Sequence, residues 1–393
     1  MKWEKVEIGK VAKVISGFAF KSKDFQAIGT PIIKIKSIKD ENIVLDESDC
    51  VDSAIEVPTR FHLSKGDILI SLTGSHITLP SSVVGRVARY RHETNSYLNQ
   101  RAGKFINIDN ERCFKDYLFY FLLQKETLTK IANKAQGAAN QANISPSDVE
   151  GVEINLPPLP TQRKIASILS AYDDLIENNL KRIKLLEEKA FLRYKQIVRE
   201  EKLEKHILSE FGDIITGKTP STVIADNFGD DVPFIKTPDM HNQIFVEHTD
   251  QMLSELGAKS QEKKFLPPLS LCVSCIGTAG VVGITSKPSQ TNQQINSIVF
   301  YEPKNVYFFY ALMSQMKEQL DALGSNGSTF TNVNKNKFEN MEVFVPNQKV
   351  LLEFAQEFEA PFNLILTLQK QNTKLREARD ILLPKLMNRQ IEV

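Results

Sequence analysis

The chain is written twice. VISGFAF (Val14 to Phe20) returns as IITGKTP (Ile214 to Pro220), and GTPIIKIKS (Gly29 to Ser37) as DVPFIKTPD (Asp231 to Asp239). ILISLTG (Ile68 to Gly74) returns as LCVSCIG (Leu271 to Gly277), and YLFYFLL (Tyr117 to Leu123) as YFFYALM (Tyr307 to Met313). EGVEINLP (Glu150 to Pro157) returns as ENMEVFVP (Glu339 to Pro346). The offset is 200 residues at the first match and 189 at the last, the drift that loop insertions and deletions produce. Five matches in one order are a tandem duplication. A duplicated chain imitates a dimer, so the expected fold has two like halves about an internal pseudo-two-fold axis.

Each half closes on a long helical pattern. Thr161 to Arg199 contains neither Gly nor Pro and follows the stop LPPLP. A seam with alternating steps of four and three runs through Ile165, Leu169, Tyr172, Ile176, Asn179, Ile183, Leu186, Ala190, Arg193 and Ile197. That spacing is the coiled-coil signal, and a polar residue such as Asn179 on a seam fixes register. About forty residues at roughly 1.5 Å each make a rod near 60 Å. The C-terminal stretch repeats the pattern through Phe354, Phe358, Pro361, Ile365, Leu368, Asn372, Leu375, Arg379, Leu382 and Leu386, and Pro361 is expected to kink or restart it. Each apolar stripe needs a partner, and the other repeat supplies one, so the two helices are expected to pack antiparallel. The alternative is two unrelated core helices.

The globular segments mix short β-branched runs with polar turns. Strands are expected at 32–35, 68–72, 83–87 and 104–108, and again at 234–236, 271–276, 281–285 and 297–301. Single helices are expected at 115–134 and 305–323. The fold class is therefore α+β: two similar globular domains, 1–156 and 203–345, separated by helices at 157–202 and 346–393.

Composition narrows the function classes. Met1 to Lys10 is polar and charged, unlike a signal peptide, and no apolar run is long enough to span a bilayer, which points to the cytoplasm. Four cysteines in 393 residues make no disulfide framework. Cys272 and Cys275 form a lone C-x-x-C inside a strand-like run, where they point to opposite faces, so neither a metal nor another cofactor is expected. The net charge of +1 hides an imbalance: 1–156 carries 21 basic and 19 acidic residues, whereas 203–345 carries 11 and 16 and has no arginine. Electrostatics alone would not make this chain grip nucleic acid.

Gly212 to Thr219 fits the phosphate-loop pattern G-x-x-x-x-G-K-[ST] letter for letter. In that chemistry backbone amides would cradle phosphates, Lys218 would meet the β/γ oxygens and Thr219 a magnesium ion. Context opposes it. The preceding run is mixed, Pro220 and a polar stretch follow, and the twin segment has Phe18 and Ala19 where Lys218 and Thr219 stand. The six histidines, His62, His76, His92, His206, His241 and His248, form no H-E-x-x-H, and no Asn-Pro-Pro-aromatic or Asp-Pro-Pro-Tyr methyltransferase motif is present. No catalytic residue is assigned.

The order of parts resembles a known family. GFAFKSKDF near the start, the junction Pro158, Leu159, Pro160, Gln162 and Ile165, and the helix behind it are similar to the specificity subunit of type I restriction–modification systems. The resemblance covers the whole chain. It implies a non-catalytic subunit in which each globular segment is a target recognition domain reading half of a split, asymmetric sequence in double-stranded DNA. It also implies that the paired helices set the half-site spacing and dock modification (methyltransferase) subunits, two of them, with restriction (nuclease/translocase) subunits joining in some systems. Two departures stand out. The second globular segment is acidic, so its phosphate grip should be weak and Lys218, Lys236, Lys335 and Lys337 should matter more. The second junction, around Pro346, Asn347 and Gln348, is degenerate.

On that reading, DNA contacts are expected from loop residues in paired positions: Lys21, Ser22 and Lys23 with Lys218 and Thr219; Lys34 and Lys36 with Lys236; Thr73 and Ser75 with Thr278; and Asn99, Gln100 and Arg101 with Asn292, Gln293 and Gln294. Asn and Gln pair bidentately with adenine and Arg with guanine, so the last set suits base edges. The alternative for that set is a turn capped by its own side-chain amides. Rival functions are a phosphate-loop nucleotide-binding protein and a two-domain scaffold that binds no DNA.

Overall fold

The computed structural model describes residues 3–39, 41–45, 48–75, 84–138, 141–325 and 331–393. His76, most of the turn 73–82, Val83 and much of the turn 324–332 lie outside the described residues. The chain forms two compact units, Met1–Asp173 with Glu377–Val393, and Asp174–Arg376.

The first unit is built on a six-stranded sheet in the order Lys13–Ser16, Ala102–Ile106, Ile68–Ser71, Val87–Arg89, Asn42–Ile43, Ile38–Lys39. Ile68, Leu69 and Ile70 are fully buried, as strands covered on both faces require. Helix Lys115–Leu123 supplies Tyr117, Phe119 and Tyr120 to the core on one side of the sheet. Across the sheet, Leu69 joins a smaller cluster with Ile33, Tyr90 and Leu98. A second sheet takes the order Phe25–Gln26, Cys50–Val51, Thr30–Ile33, Ser96–Leu98, His62–Leu63.

The second unit repeats this plan. Its main sheet runs Gly212–Thr216, Ile295–Phe300, Leu271–Ser274, Val282–Thr285, Phe245–Val246, and its second sheet Phe228–Gly229, Met252–Leu253, Val232–Ile235, Gln290–Thr291. The parallel pairing of Ile32 and Ile33 with Tyr97 and Leu98 returns as Phe234 and Ile235 with Gln290 and Thr291. In each copy a terminal strand closes the globular segment, Glu4–Glu7 against Glu153–Leu156 and Leu203–Ile207 against Glu342–Pro346. Cys272 and Cys275 lie in different clusters, and burial pushes their thiols up to about 12 and about 11.

The helices Leu159–Glu200 and Gln348–Met387 each contribute a section to both units. In the first unit Ile165 and Leu169 share a core with Leu383, Leu386 and Met387. In the second, Asn179 Nδ2 donates to Asn372 Oδ1 at 2.9 Å, and Arg193 meets Glu357 at 3.3 Å. One index rises as the other falls, so the pairing is antiparallel. The Asn pair is buried, and each amide answers the other where an apolar neighbour would leave it unsatisfied.

Several expectations are corrected. The second helix does not restart at Pro361 but runs unbroken to Met387. Pro361 is also not the most enclosed residue of its turn; Phe362 is, at 0% exposure, so the buried stripe steps by four at that point. The expected helix 115–134 is two, broken at Gln124, which is extended and buried with its Nε2 on Phe121 O. The expected helix 305–323 also divides, after Met313, where Ser314 Oγ bonds back to Tyr310 O at 2.7 Å. Strand ends differ from expectation by up to two residues, as with Thr30–Ile33, Ala102–Ile106 and Ile295–Phe300, except that the strand expected at 83–87 is found at Val87–Arg89, after a turn at Val84 and Gly85.

Tyr310 Oη donates to Glu187 Oε1 at 2.5 Å in the second unit. Burial raises the Glu187 carboxyl above its ordinary 4.5; the bond from Tyr310 opposes this and Glu188 adds to it. A raised carboxyl holds its proton better folded than unfolded, so its contribution falls as pH rises from 4.5 through the raised value. Glu187→Gln keeps the acceptor for Tyr310 and removes the titration. Thermal unfolding across pH should show the variant gaining on the wild type from the acidic carboxylate range toward neutrality. A constant difference over that range would exclude Glu187 as the source.

Candidate nucleic-acid interface

Both units build the same backbone frame at the ends of their central strands. In the first, Gly17 N–H donates to Ala102 O at 3.0 Å and Phe18 N–H to Leu98 O at 2.8 Å. Gln100 N–H returns to Phe18 O, Asn99 N–H reaches Ile33 O, and Leu72 N–H reaches Arg101 O. In the second, Gly217 N–H donates to Ile295 O at 3.1 Å and Lys218 N–H to Thr291 O at 2.9 Å. Asn292 N–H reaches Ile235 O, and Cys275 N–H reaches Gln294 O. The frame joins chain segments that are far apart in sequence, so that Lys34, Thr73 and Asn99 to Arg101 stand next to or within it in the first copy, and Lys218, Lys236 and Asn292 to Gln294 in the second, while Lys21 to Lys23 and Thr278 lie a few residues further along the same segments. Only glycine fits at its tightest point. A Cβ on Gly17 would sit 2.4 Å from Asn99 O, and one on Gly217 would sit 2.2 Å from Asn292 O.

The frame disposes of the phosphate-loop reading. Gly212–Thr216 is a strand paired antiparallel with residues 300 to 296, and no α-helix starts at Thr219, the next helical turn being the short 3-10 segment Ala225–Asn227. The amides of Gly217 and Lys218 are spent on backbone carbonyls and cannot cradle a phosphate.

The side chains divide by how far they are already committed. Lys21, Ser22, Lys23, Gln100, Arg101, Lys218, Thr278 and Gln293 are exposed. Lys34 and Lys36 both pair with Asp49 at 2.8 Å, and Lys34 also lies over the Phe25 ring. Lys236 Nζ donates to Gln251 Oε1 at 2.7 Å. Asn99 Oδ1 accepts from Arg101 N–H, and Asn292 Oδ1 from Gln294 N–H, so both asparagines cap their own turn. Thr73 Oγ1 donates to Asn143 Oδ1 at 2.8 Å, and Ser75 O accepts from Val84 N–H. Lys335 lies by Glu339, and Lys337 Nζ donates to Leu323 O.

The hairpin Gln136–Ala138 with Gln141–Asn143 was not anticipated. It adds to strand Thr73–Gly74 at the same edge and exposes Gln136, Gln141 and Asn143 while burying Ala142. Strand Thr331–Asn332 occupies the corresponding place beside Ile276–Gly277. The Gln- and Asn-rich run QGAANQAN was the available signal. Among the described residues no cluster of His, Cys, Asp and Glu could hold a metal, and no helix is long and apolar enough to cross a membrane.

Comparison with known proteins places this arrangement. The family model described as "Type I restriction modification DNA specificity domain" matches residues 1–188 and again 200–374. The chain is 44% identical over 190 residues to the type I restriction enzyme HindI specificity subunit of Haemophilus influenzae. That match covers 48% of this chain and 41% of the relative, so the chain spans about two-fifths of that relative's length. It is 26% identical over 314 residues to the MjaIX specificity subunit of Methanocaldococcus jannaschii, covering 73% of this chain and 71% of that one. The crystal structure of a type I restriction–modification S subunit from M. genitalium shares the fold, with a TM-score of 0.57 at 15% identity over 98% of this chain and 96% of that chain. The chain belongs to the type I restriction modification DNA specificity family, whose domain it carries in two copies.

Proposed function

We propose that the protein is the sequence-reading subunit of a type I restriction–modification complex and catalyses no reaction itself. Domains 1–156 and 203–345 each read one half of a bipartite target in double-stranded DNA. The helices at 157–202 and 346–393 hold the half-sites at a set spacing and dock two methyltransferase subunits, through which restriction subunits join in the cytoplasm. The observation that carries this reading is the repeated frame with unlike side chains on it. The same backbone presents Phe18, Ala19 and Arg101 in one copy and Lys218, Thr219 and Gln294 in the other. Identical frames with different donors and acceptors suit an asymmetric target. The segment charges, +2 for 1–156 and −5 for 203–345, leave much of the phosphate neutralisation to the partner subunits.

The test is co-expression with the cognate methyltransferase, followed by genome-wide mapping of methylated bases. Arg101→Ala is expected to relax or abolish the first half-site at a cost of about 1–3 kcal/mol while the second half-site persists. An unchanged motif and affinity would remove Arg101 from the interface. No methylated motif in the wild type would favour the DNA-free scaffold.

A further inference from the structure

The second copy of the frame carries a side-chain contact that the first lacks. Thr219 Oγ1 donates to Gln293 Oε1 at 2.6 Å across the second copy. Through the frame, Gly217 corresponds to Gly17 and Asn292 to Asn99, so the counterparts of Thr219 and Gln293 are Ala19 and Gln100. Ala19 has no hydroxyl to give, and the first copy lacks the contact.

The neighbours of Gln293 are turned inward. Asn292 Oδ1 accepts from Gln294 N–H, and Asn292 Nδ2 donates to Gln294 Oε1 at 3.0 Å, which folds Gln294 back onto the loop. Gln293 is the exposed amide of the three. Residues 203–345 contain no arginine, so the commonest guanine-reading fork is absent from this domain. A free glutamine has high rotamer freedom, and its two ends are interchangeable by a half-turn of the amide. The hydroxyl on Oε1 suppresses both freedoms. It occupies one lone pair and leaves the other lone pair and both N–H donors of this exposed side chain for a ligand. One acceptor beside one donor matches the N6 amino group and N7 of adenine.

We infer that Thr219 is a positioning residue that fixes Gln293 as an adenine reader in the second half-site, a device the first half-site does without. This rests on the DNA-specificity reading and refines it to one base pair. The experiment is the methylation map of the intact complex with Thr219→Val and Thr219→Ser. Valine keeps the shape and removes the hydroxyl; serine restores the hydroxyl. With T219V, one A·T position in the second half-site should lose about tenfold of its discrimination, with the first half-site unchanged, and T219S should retain the wild-type motif. An unaltered second half-site in T219V, equal relaxation in T219S, or relaxation confined to a G·C position would overturn the inference. If T219V abolished methylation, Gln293→Met would carry the same test: relaxation at an A·T position supports the inference and an unchanged motif overturns it. A wild type with no methylated motif would instead defeat the DNA-specificity reading.

Discussion

Arg379→Ala is expected to weaken the first unit by about 3–5 kcal/mol, the usual cost of stripping the partner from a buried charge. Arg379 is 8% exposed on its side chain and sits at the centre of a cation–carboxylate cluster. Its Nη1 lies 2.7 Å from Asp173 Oδ1, and it also meets Glu41 and Asp380. Asp173 in turn accepts from Tyr120 Oη at 2.7 Å and Arg91 Nη2 at 3.1 Å. Burial works against the Arg379 charge, but Glu41, Asp173 and Asp380 outweigh it and hold the guanidinium protonated. Truncation leaves the Asp173 carboxylate, 5% exposed, with one cation instead of two. The chain has one tryptophan, Trp3, which packs on this unit's core beneath Arg389. Its emission during urea unfolding reports the transition directly. A shift below about 1 kcal/mol would mean that the cluster is solvated enough to tolerate the loss.

Phe358→Ala should cost the second unit a similar amount, about 3–5 kcal/mol, by a different mechanism. Phe358 is fully buried on the C-terminal helix and stacks on Phe354 with centroids 4.4 Å apart. Phe362, Tyr307, Tyr310 and Ile365 belong to the same cluster, so this section of the helix contact is packed by rings. Removing a ring from such a site loses transfer energy and leaves a cavity that rigid neighbours cannot fill. Hydrogen exchange of the strands 271–274 and 295–300 is the readout. Unchanged protection there would show that the site collapses around the alanine.

The duplication was legible because loop drift leaves core motifs in order. The helices were legible because their stripes are long and regular. The restart expected at Pro361 fails because a single-residue rule ignores forty residues of supporting helix, whose partner residues, such as Lys189 and Arg193 beside Glu357, belong to the other repeat. The breaks at Gln124 and Ser314 were hidden because each segment is locally a good helix former, and tertiary packing alone decides that Gln124 turns extended. The second sheet in each unit is made of strands two to four residues long, too short to show a period. At the candidate interface the pairing of loop positions was legible through the repeat. The commitments of their side chains were not. Lys34 and Lys36 look like free cations until Asp49 is seen between them, and the sequence does not show that the amide oxygens of Asn99 and Asn292 cap their own turns. Asn143 went unread because its strand shows only a polar, Gln-rich composition.

The terminal strands bear on how such a chain changes over time. Glu4–Glu7 lies against Glu153–Leu156, and Leu203–Ile207 against Glu342–Pro346, so each globular segment begins and ends at a single stapled point. Exposed loops between the ends of a staple can be rewritten, lengthened or recharged without moving the residues that lead into and out of the helices. The helices stay tied to residues inside each staple through Tyr120 on Asp173 and Tyr310 on Glu187, so it is divergence of the exposed loops that the staple contains. A lineage under pressure to alter what it recognises would be expected to accumulate substitutions in the exposed loops inside 8–152 and 208–341 far faster than in the strands that close them.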